Sequence, residues 1–123
     1  HPARIRRRVD DELPFMATEE IIVRAVRAGG DRQAIHEVIR RHAIEAARAL
    51  KDGGAARNDL LERLAGDAEF TALGISLDDL HAAAEPSRFV GRAPAQVEDF
   101  LAEVVEPALA GRAAGAALEE VRV

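Results

Sequence analysis

Residues 31–51, DRQAIHEVIRRHAIEAARALK, carry the clearest helical pattern in the chain. Asp31 stands where a side-chain oxygen can cap a helix N-terminus, and glycine pairs at Gly29-Gly30 and Gly53-Gly54 interrupt the pattern at both ends. Apolar residues recur at the spacing of three and four that places them on one face of a helix: Ile35, Val38, Ile39, Ala43, Ala46, Ala47 and Leu50. The stretch therefore predicts one long helix with a single buried face.

Two helical segments are predicted before this helix. Residues 3–12 have a helix-forming composition, and we expect Pro14 to end or kink them, because proline lacks the N–H that helix hydrogen bonding requires. In residues 15–28 apolar side chains cover more than half of the circumference, and Glu20 and Arg24 are spaced as an i,i+4 ion pair on the remaining strip. We expect some packing partners of so apolar a helix to lie outside this chain.

Shorter helices are predicted after the second glycine pair. Asn58 or Asp59 is placed to cap the first of them, and Asp59 and Glu62 have the spacing of a capping box. Residues 67–75 predict a turn or a half-helix. Further along, Ser76 is placed to cap the next helix, with Asp79 as its third helical residue.

A final helix is predicted after the loop at residues 88–92. Pro94 suits its first turn, and we expect Pro107 to bend it near its end. Its apolar residues again recur at spacings of three and four: Val97, Phe100, Leu101, Val104, Val105, Ala108 and Leu109. Because no segment shows strand alternation, the predicted fold class is all-α.

Composition and charge exclude several classes of protein. The 22 acidic and 17 basic residues are well mixed and give a net charge of −5, which argues against a generic nucleic-acid binder. No apolar run approaches the ~18–20 residues that span a bilayer, and the start lacks the apolar core of a secretory signal. The absence of cysteine excludes disulfides and is compatible with a cytoplasmic location. Residue 1 is His rather than Met, and we expect the chain to be part of a longer protein.

The segment HEVIRRH at residues 36–42 is the most conspicuous candidate site. A zinc-binding helix needs two histidines four residues apart, whereas His36 and His42 are six apart and point in different directions. We therefore predict no metal site and expect exposed or interface histidines. His36 and Arg40, with Glu37 and Arg41 on the adjacent face, could contact an anion. The preferred alternative is a solvated helix face with internal ion pairs.

Two arginine-containing segments could also contact anions. The cluster at Arg4, Arg6, Arg7 and Arg8 is followed at once by acidic residues and has no aromatic residues between its arginines for base stacking, so we expect it to make a structural or subunit contact. The turn Gly91-Arg92-Ala93-Pro94 precedes a predicted helix, where backbone N–H groups can bind phosphate. Structural roles alone can account for these residues: the glycine allows an unusual turn, the proline suits the helix start, and the arginine can pair with an acidic neighbour.

No catalytic constellation is predicted from spacing. The paired carboxylates at residues 10–11, 19–20, 78–79 and 119–120 are adjacent in sequence, so on a helix they diverge by about 100° and cannot share a proton. Ser76 and Ser87 are the only serines, and neither lies in a nucleophile-elbow motif. We therefore assign no catalytic, cofactor-binding or metal-binding residue.

Four blocks of the sequence closely resemble adenylosuccinate lyases. They occur in the order and at about the spacing of that family, over roughly residues 5–110. The blocks are ELPFMATE at residues 12–19, RAGGDRQ at 27–33 with HEVIR at 36–40, NDLLER at 58–63, and FVGRAPAQV at 89–97 followed by Phe100-Leu101. The chain is thus identified as similar to the C-terminal region of this branch of the fumarase/aspartase superfamily.

The resemblance implies a division into domains. Subunits of this superfamily have an N-terminal domain, a central bundle of long helices and a small helical C-terminal domain. Residues 1–30 would then be the end of the central domain, residues 31–111 the C-terminal domain, and residues 112–123 a flexible tail. The missing partners of residues 15–28 would lie in the central bundle and in other subunits, and the parent would be a homotetramer.

The resemblance also implies a reaction. The family eliminates fumarate from adenylosuccinate, giving AMP, and from a succinylated carboxamide ribotide of purine biosynthesis, without a metal or an organic cofactor. The family assigns the acid and base roles to a histidine and to a serine on a mobile loop, both upstream of this region. The loop motif, which resembles SSxMPxKxNP, does not occur here. We therefore expect this chain alone to be structural, to be catalytically inert and to self-associate or dissolve poorly.

Two other interpretations remain at this point. The chain could be a free-standing helical interaction module that kept its lyase ancestry. It could also come from a different lyase of the superfamily, such as argininosuccinate lyase, although the FMATE and GRAP blocks argue against this.

Overall fold

The computed structural model describes residues 1–110, and all of its regular secondary structure within that range is helical. This confirms the predicted all-α fold class. The residues 112–123 that were predicted to be a flexible tail lie outside the described residues. The helices are α1 (Pro2–Met16), α2 (Thr18–Arg27), α3 (Arg32–Lys51), α4 (Leu60–Ala65), α5 (Ala68–Ala72), α6 (Leu77–Ala83), a 3-10 turn (Pro86–Phe89), α7 (Ala93–Phe100), a π-helical segment (Leu101–Val105) and α8 (Glu106–Ala110).

The chain divides into two compact units, His1–Phe89 and a second unit that begins at Val90. Within the first unit, α2 and α3 pack in one core although the predicted boundary at residue 30 lies between them. That boundary follows only from the family resemblance, and the assignment of residues 1–30 to a central domain stays a prediction.

The core of the first unit is built from one face of each helix. On α3 the buried residues are Ile35, Val38, Ile39 and Ala46, all of which belong to the face that the sequence predicts. Phe70 on the five-residue helix α5 is fully buried and is the largest side chain in the core. The remaining buried apolar residues are Leu13, Ala17, Ile21, Ile22, Ala25, Leu60, Leu61, Leu64, Ile75, Leu80, Ala83 and Ala84.

The corner between α2 and α3 requires both of its glycines. Gly29 has a φ of +100°, which residues with a side chain rarely adopt. A Cβ at Gly30 would lie 2.9 Å from the Leu73 side chain and 3.0 Å from the Ala25 carbonyl oxygen. This close approach explains why the predicted break between the two helices contains a glycine pair.

Pro14 does not end the first helix. α1 continues through it to Met16, and the change of direction occurs at Ala17, where the N–H still donates to the Leu13 carbonyl oxygen at 2.9 Å. Proline lacks one N–H and so removes one helical hydrogen bond, and Pro14 is buried within α1. The predicted helix over residues 3–12 therefore ended four residues too early.

All three predicted helix caps form, and Asn58 rather than Asp59 caps α4, since its side-chain oxygen accepts from the Leu60 N–H at 3.0 Å. The Asp31 carboxylate accepts from the Ala34 N–H at 2.9 Å, and Ser76 and Asp79 form a reciprocal capping box at the start of α6. The predicted capping box of Asp59 and Glu62 is wrong, because Asp59 pairs with Arg63 while Glu62 pairs with Arg57.

The second unit, as far as it is described, is a helix interrupted by a π-helical segment. Gly91 has a φ of +55° and Pro94 lies in the first turn of α7, as the sequence predicts. The π segment ends at Val105, two residues before Pro107, which has no N–H to continue regular helical hydrogen bonding. The apolar side chains of this helix are largely exposed: Val97, Phe100, Leu101, Val104 and Leu109.

Candidate functional site

The two histidines of the HEVIRRH segment have different environments. His36 is exposed on α3, whereas the side chain of His42 is only 16% exposed and its Nε2 lies 2.8 Å from an oxygen of Asp67. In the part of the chain that the structure describes, no group of three His, Asp or Glu side chains is arranged to hold a metal ion.

The arginines of the possible anion-contacting strip on α3 already have carboxylate partners in this chain. Arg40 donates two hydrogen bonds of 2.7 Å to the Glu37 carboxylate, and Arg41 donates one of 2.9 Å to Asp67. The hydrogen bonds from Arg40 lower the pKa of Glu37. The strip is therefore an ion-paired helix face, with one pair inside α3 at a spacing of three and one pair that joins α3 to Asp67.

His42 and Arg41 join Asp67 in a cluster that we call the α3–α5 clamp. Asp67 accepts from both side chains through the same oxygen, and its other oxygen accepts from the Glu69 N–H at 3.0 Å, which caps α5. Thr71 donates to the Asp67 carbonyl oxygen at 2.9 Å. The clamp thereby fixes the short helix that carries Phe70 against α3.

The geometry of His42 does not suit acid–base catalysis. A general acid or base must bring a ring nitrogen within hydrogen-bond reach of the substrate. Nε2 already faces Asp67, and Nδ1 is buried, with the nearest carboxylate oxygen, on Glu45, 3.9 Å away. Glu45 in turn accepts from Arg63 at 3.1 Å. The ring therefore serves as a link between helices.

Protonation of Asp67 should make the stability of the first unit depend on pH. Burial favours the neutral form of this carboxyl group and would raise its pKa, but hydrogen bonds from His42 and the Glu69 N–H outweigh burial, so the pKa lies below its ordinary value. A depressed pKa means that Asp67 contributes stability above about pH 4, and that this contribution is lost as pH falls through the folded-state pKa.

Replacing Asp67 by asparagine should lower the free energy of unfolding at neutral pH by about 1–2 kcal/mol, because the clamp loses its charge-assisted hydrogen bonds. The difference from the unchanged chain should shrink as pH falls below about 4. Urea unfolding followed by circular dichroism over this pH range measures both effects. Asp78→Asn, at an exposed site on α6, controls for the change in net charge. A difference that stays constant with pH would contradict this role of Asp67.

The arginine cluster of α1 makes exposed intrahelical pairs. Arg8 lies 3.1 Å from Glu12, and Arg7 lies 4.0 Å from Asp11. The acidic residues that follow the cluster therefore offset part of its charge, as the sequence indicates.

The predicted ion pair between Glu20 and Arg24 is wrong. Each side chain instead contacts another element: Arg24 donates to Asp79 of α6 at 3.0 Å, and Glu20 accepts from Arg88 of the 3-10 turn at 2.8 Å. These two contacts attach α2 to the end of the first unit.

The remaining candidates have structural partners. Arg92 lies 3.9 Å from Asp99, which matches the predicted pairing with an acidic neighbour. Ser76 donates to Asp79 at 2.6 Å within the capping box. Ser87 lies in the exposed 3-10 turn. The pair at residues 119–120 lies outside the described residues.

Sequence reasoning missed one of the two contacts of the Asn58 side chain. Its side-chain oxygen accepts from the Leu60 N–H at 3.0 Å, and its side-chain nitrogen donates to the Asp11 carbonyl oxygen at 2.8 Å. The sequence indicates the first bond, as a possible helix cap, but it carries no signal for the second, which spans 47 residues.

Comparison with known proteins identifies the family. The family described as "Adenylosuccinate lyase C-terminus" matches residues 14–100. The chain is 47% identical over 109 residues to the adenylosuccinate lyase of Saccharomyces cerevisiae and 41% identical over 110 residues to that of Schizosaccharomyces pombe. The corresponding protein of Schistosoma mansoni is 36% identical over 110 residues.

Each of these alignments covers 89% of this chain and 22% of the relative. The chain thus spans about a fifth of the length of the curated relatives that it matches. Together with the all-helical fold, the match shows that the chain belongs to the adenylosuccinate lyase C-terminus family.

Proposed function

We propose that this chain is the C-terminal region of an adenylosuccinate lyase, whose parent eliminates fumarate from adenylosuccinate and from the succinylated carboxamide ribotide of purine biosynthesis. The observation that carries the proposal is the family match, which covers residues 14–100. On this proposal the parent is a cytoplasmic homotetramer that binds nucleotide substrates. None of the described helices is long and apolar enough to cross a membrane.

The chain's own part in the reaction is structural on this proposal. His42 links α3 to α5, and Ser76 caps α6, so the internal contacts of these two side chains favour a scaffolding role. The acid and base would come from regions of the parent that this chain does not span. We assign no catalytic, cofactor-binding or metal-binding residue here.

Exposed apolar residues on α1 and α2 support contact with the rest of a larger subunit. Ile5 is 65% exposed and Met16 is 60% exposed, while Val23 and Val26 on α2 are each more than a third exposed. Removing apolar surface from water is favourable by about 25 cal/mol per Å². These side chains are suitable for docking against the central bundle of the parent.

A chimeric lyase tests the proposal. The matched region of the Saccharomyces cerevisiae relative is replaced by this chain, and elimination is followed by the fall in adenylosuccinate absorbance. We expect kcat/KM within about tenfold of the unmodified enzyme. The same lyase without its C-terminal region should be inactive, because the helices docked against that region would lose their buried apolar contacts.

Two controls complete the experiment. The chain alone should give no turnover above the blank, since it would lack the acid and base. A chimera that carries Phe70→Ala should lose activity on warming before the unaltered chimera does. A chimera that folds and assembles normally but has no activity would contradict the proposed function and favour an independent interaction module.

A further inference from the structure

Each ring nitrogen of His42 faces a carboxylate. Nε2 lies 2.8 Å from Asp67 at the start of α5, and Nδ1 lies 3.9 Å from Glu45, one turn further along α3. The side chain is 16% exposed, and Nδ1 is buried without a hydrogen-bond partner. Because negative charge faces both nitrogens, the number of protons on the ring decides whether His42 is attracted to one of these carboxylates or to both.

A neutral imidazole can satisfy only one of the two carboxylates. It has one N–H, and its other nitrogen carries a lone pair that accepts a hydrogen bond but cannot donate one. The single N–H has to be on Nε2, because two lone pairs would repel each other at the 2.8 Å that separates Nε2 from Asp67. The lone pair of Nδ1 is then buried without a donor and faces the Glu45 carboxylate, and both features are unfavourable.

A ring that carries protons on both nitrogens removes this conflict. Nε2–H donates to Asp67 in a charge-assisted hydrogen bond, and Nδ1–H places positive charge opposite Glu45. The protonated ring also connects three helices, because Asp67 caps α5 and Glu45 accepts from Arg63 of α4 at 3.1 Å. Burial opposes a charged ring, whereas two adjacent carboxylates favour it.

The other charged groups around the ring also favour an additional proton. Arg41 of α3 donates to the same Asp67 oxygen that faces His42. Arg63 of α4 donates to Asp59 as well as to Glu45. These groups comprise three carboxylates and two guanidinium groups, so they carry a net charge of −1 around a neutral ring. Protonation of the ring makes the whole cluster neutral.

We propose that His42 is a proton-dependent link in the first unit: with both ring nitrogens protonated it ties α3 to α5 and α4, and loss of the Nδ1 proton loosens the α3–α5 clamp. The sign of the effect follows from linkage. Because the folded chain holds this proton more tightly than the unfolded chain, its contribution to stability is present at low pH and is lost as pH rises through the range in which histidine titrates. Asp67 has the opposite dependence, since its contribution is lost in acid.

Nitrogen NMR of the imidazole rings tests the proposal in the full 123-residue chain. In a sample labelled with ¹⁵N, the two nitrogens of a ring have similar chemical shifts when both carry protons and widely separated shifts when only one does. As pH is raised from about 5 to about 9, we expect His42 to lose its second proton at a higher pH than the exposed His36 and to keep the proton on Nε2. A His42→Gln chain assigns the signals.

Glu45→Gln is the decisive variant, because it removes the charge opposite Nδ1 and leaves the Asp67 contact in place. The His42 ring of this variant should lose its second proton about half a pH unit or more earlier than in the unaltered chain. Glu69→Gln is the matched control, since it removes the same charge from an exposed side chain two residues after Asp67. Solvent screens that charge, and the control should move the titration by less than about 0.2 pH unit.

Urea unfolding measures the link itself. Between about pH 6 and about pH 9, the folding equilibrium constant of the unaltered chain should fall about three- to tenfold more than that of His42→Gln. The glutamine amide can donate to Asp67 but has no titrating proton to lose. Circular dichroism establishes that each variant is folded.

Three results would overturn the inference. They are a His42 ring that loses its second proton at or below the pH at which His36 does, a titration that Glu45→Gln leaves unchanged, and equal pH dependence of stability in the unaltered chain and His42→Gln. The first two come from spectra of His42 itself, so they decide the question even if His42→Gln does not fold. None of the measurements uses lyase activity, and their outcome is independent of the proposed function.

Discussion

Replacing Phe70 by alanine should lower the free energy of unfolding by about 3–5 kcal/mol, the range found when a large buried aromatic side chain is truncated. Phe70 is fully buried, and it is the largest side chain in the core of the first unit. It projects from the five-residue helix α5, which is too short to be stable without tertiary contacts. The substitution should therefore leave a cavity and also release α5.

Urea unfolding followed by far-UV circular dichroism measures this loss. Phe89→Ala is the matched control, because Phe89 is 37% exposed in the 3-10 turn of the same unit and should lose less than about 1 kcal/mol. Since small domains have a total stability of about 5–15 kcal/mol, the loss in the Phe70 variant removes a large fraction of the stability of the unit. Equal losses in the two variants would show that Phe70 does not anchor the core.

The long helices could be predicted because their determinants are local. Asp31 caps α3, glycines interrupt the chain at both ends of it, and the apolar period selects the buried face on which Ile35 and Ile39 lie. Each of these features acts within a few residues of sequence. The fold class and the buried face of α3 therefore follow from the sequence without reference to the rest of the chain.

The ion pairs could not be predicted in the same way. Arg24 has Glu20 at the ideal helical spacing, yet it pairs with Asp79, which lies 55 residues away. Exposed pairs differ in free energy by only about a few tenths of a kcal/mol, so tertiary proximity decides between them. The same limitation explains why Asp59 and Glu62 pair with arginines and do not form the predicted capping box.

The surroundings of His42 also depend on contacts between residues that are far apart in the sequence. The sequence indicates that His36 and His42 do not share a helix face, which argues against a metal site within α3. It carries no signal that Asp67, 25 residues away, would accept a hydrogen bond from His42. His42 is unsuited to catalysis because its ring is largely buried and already bonded to Asp67, and only the folded chain provides this environment.

Asn58 connects the two parts of the chain that the family resemblance assigns to different domains. It is the only polar or charged residue among the buried residues of the described chain, with 6% of its surface exposed. One end of its side-chain amide binds the N–H of Leu60 at the start of α4, and the other binds the carbonyl oxygen of Asp11 on α1. A single side chain thereby caps one helix and attaches another to it.

Replacing Asn58 by alanine should lower the free energy of unfolding by about 2–3 kcal/mol, since the buried Leu60 N–H would lose its acceptor and α1 would lose its hydrogen bond to the loop before α4. Asp59→Ala is the matched control, because it removes only a half-exposed pair with Arg63 and should cost at most about 1 kcal/mol. Amide hydrogen exchange separates local from global effects. Protection should fall first in α1 and at the start of α4, and later in α6, whose capping box is unchanged. A uniform loss of protection would mean that Asn58 stabilises the whole unit and has no specific role in attaching α1.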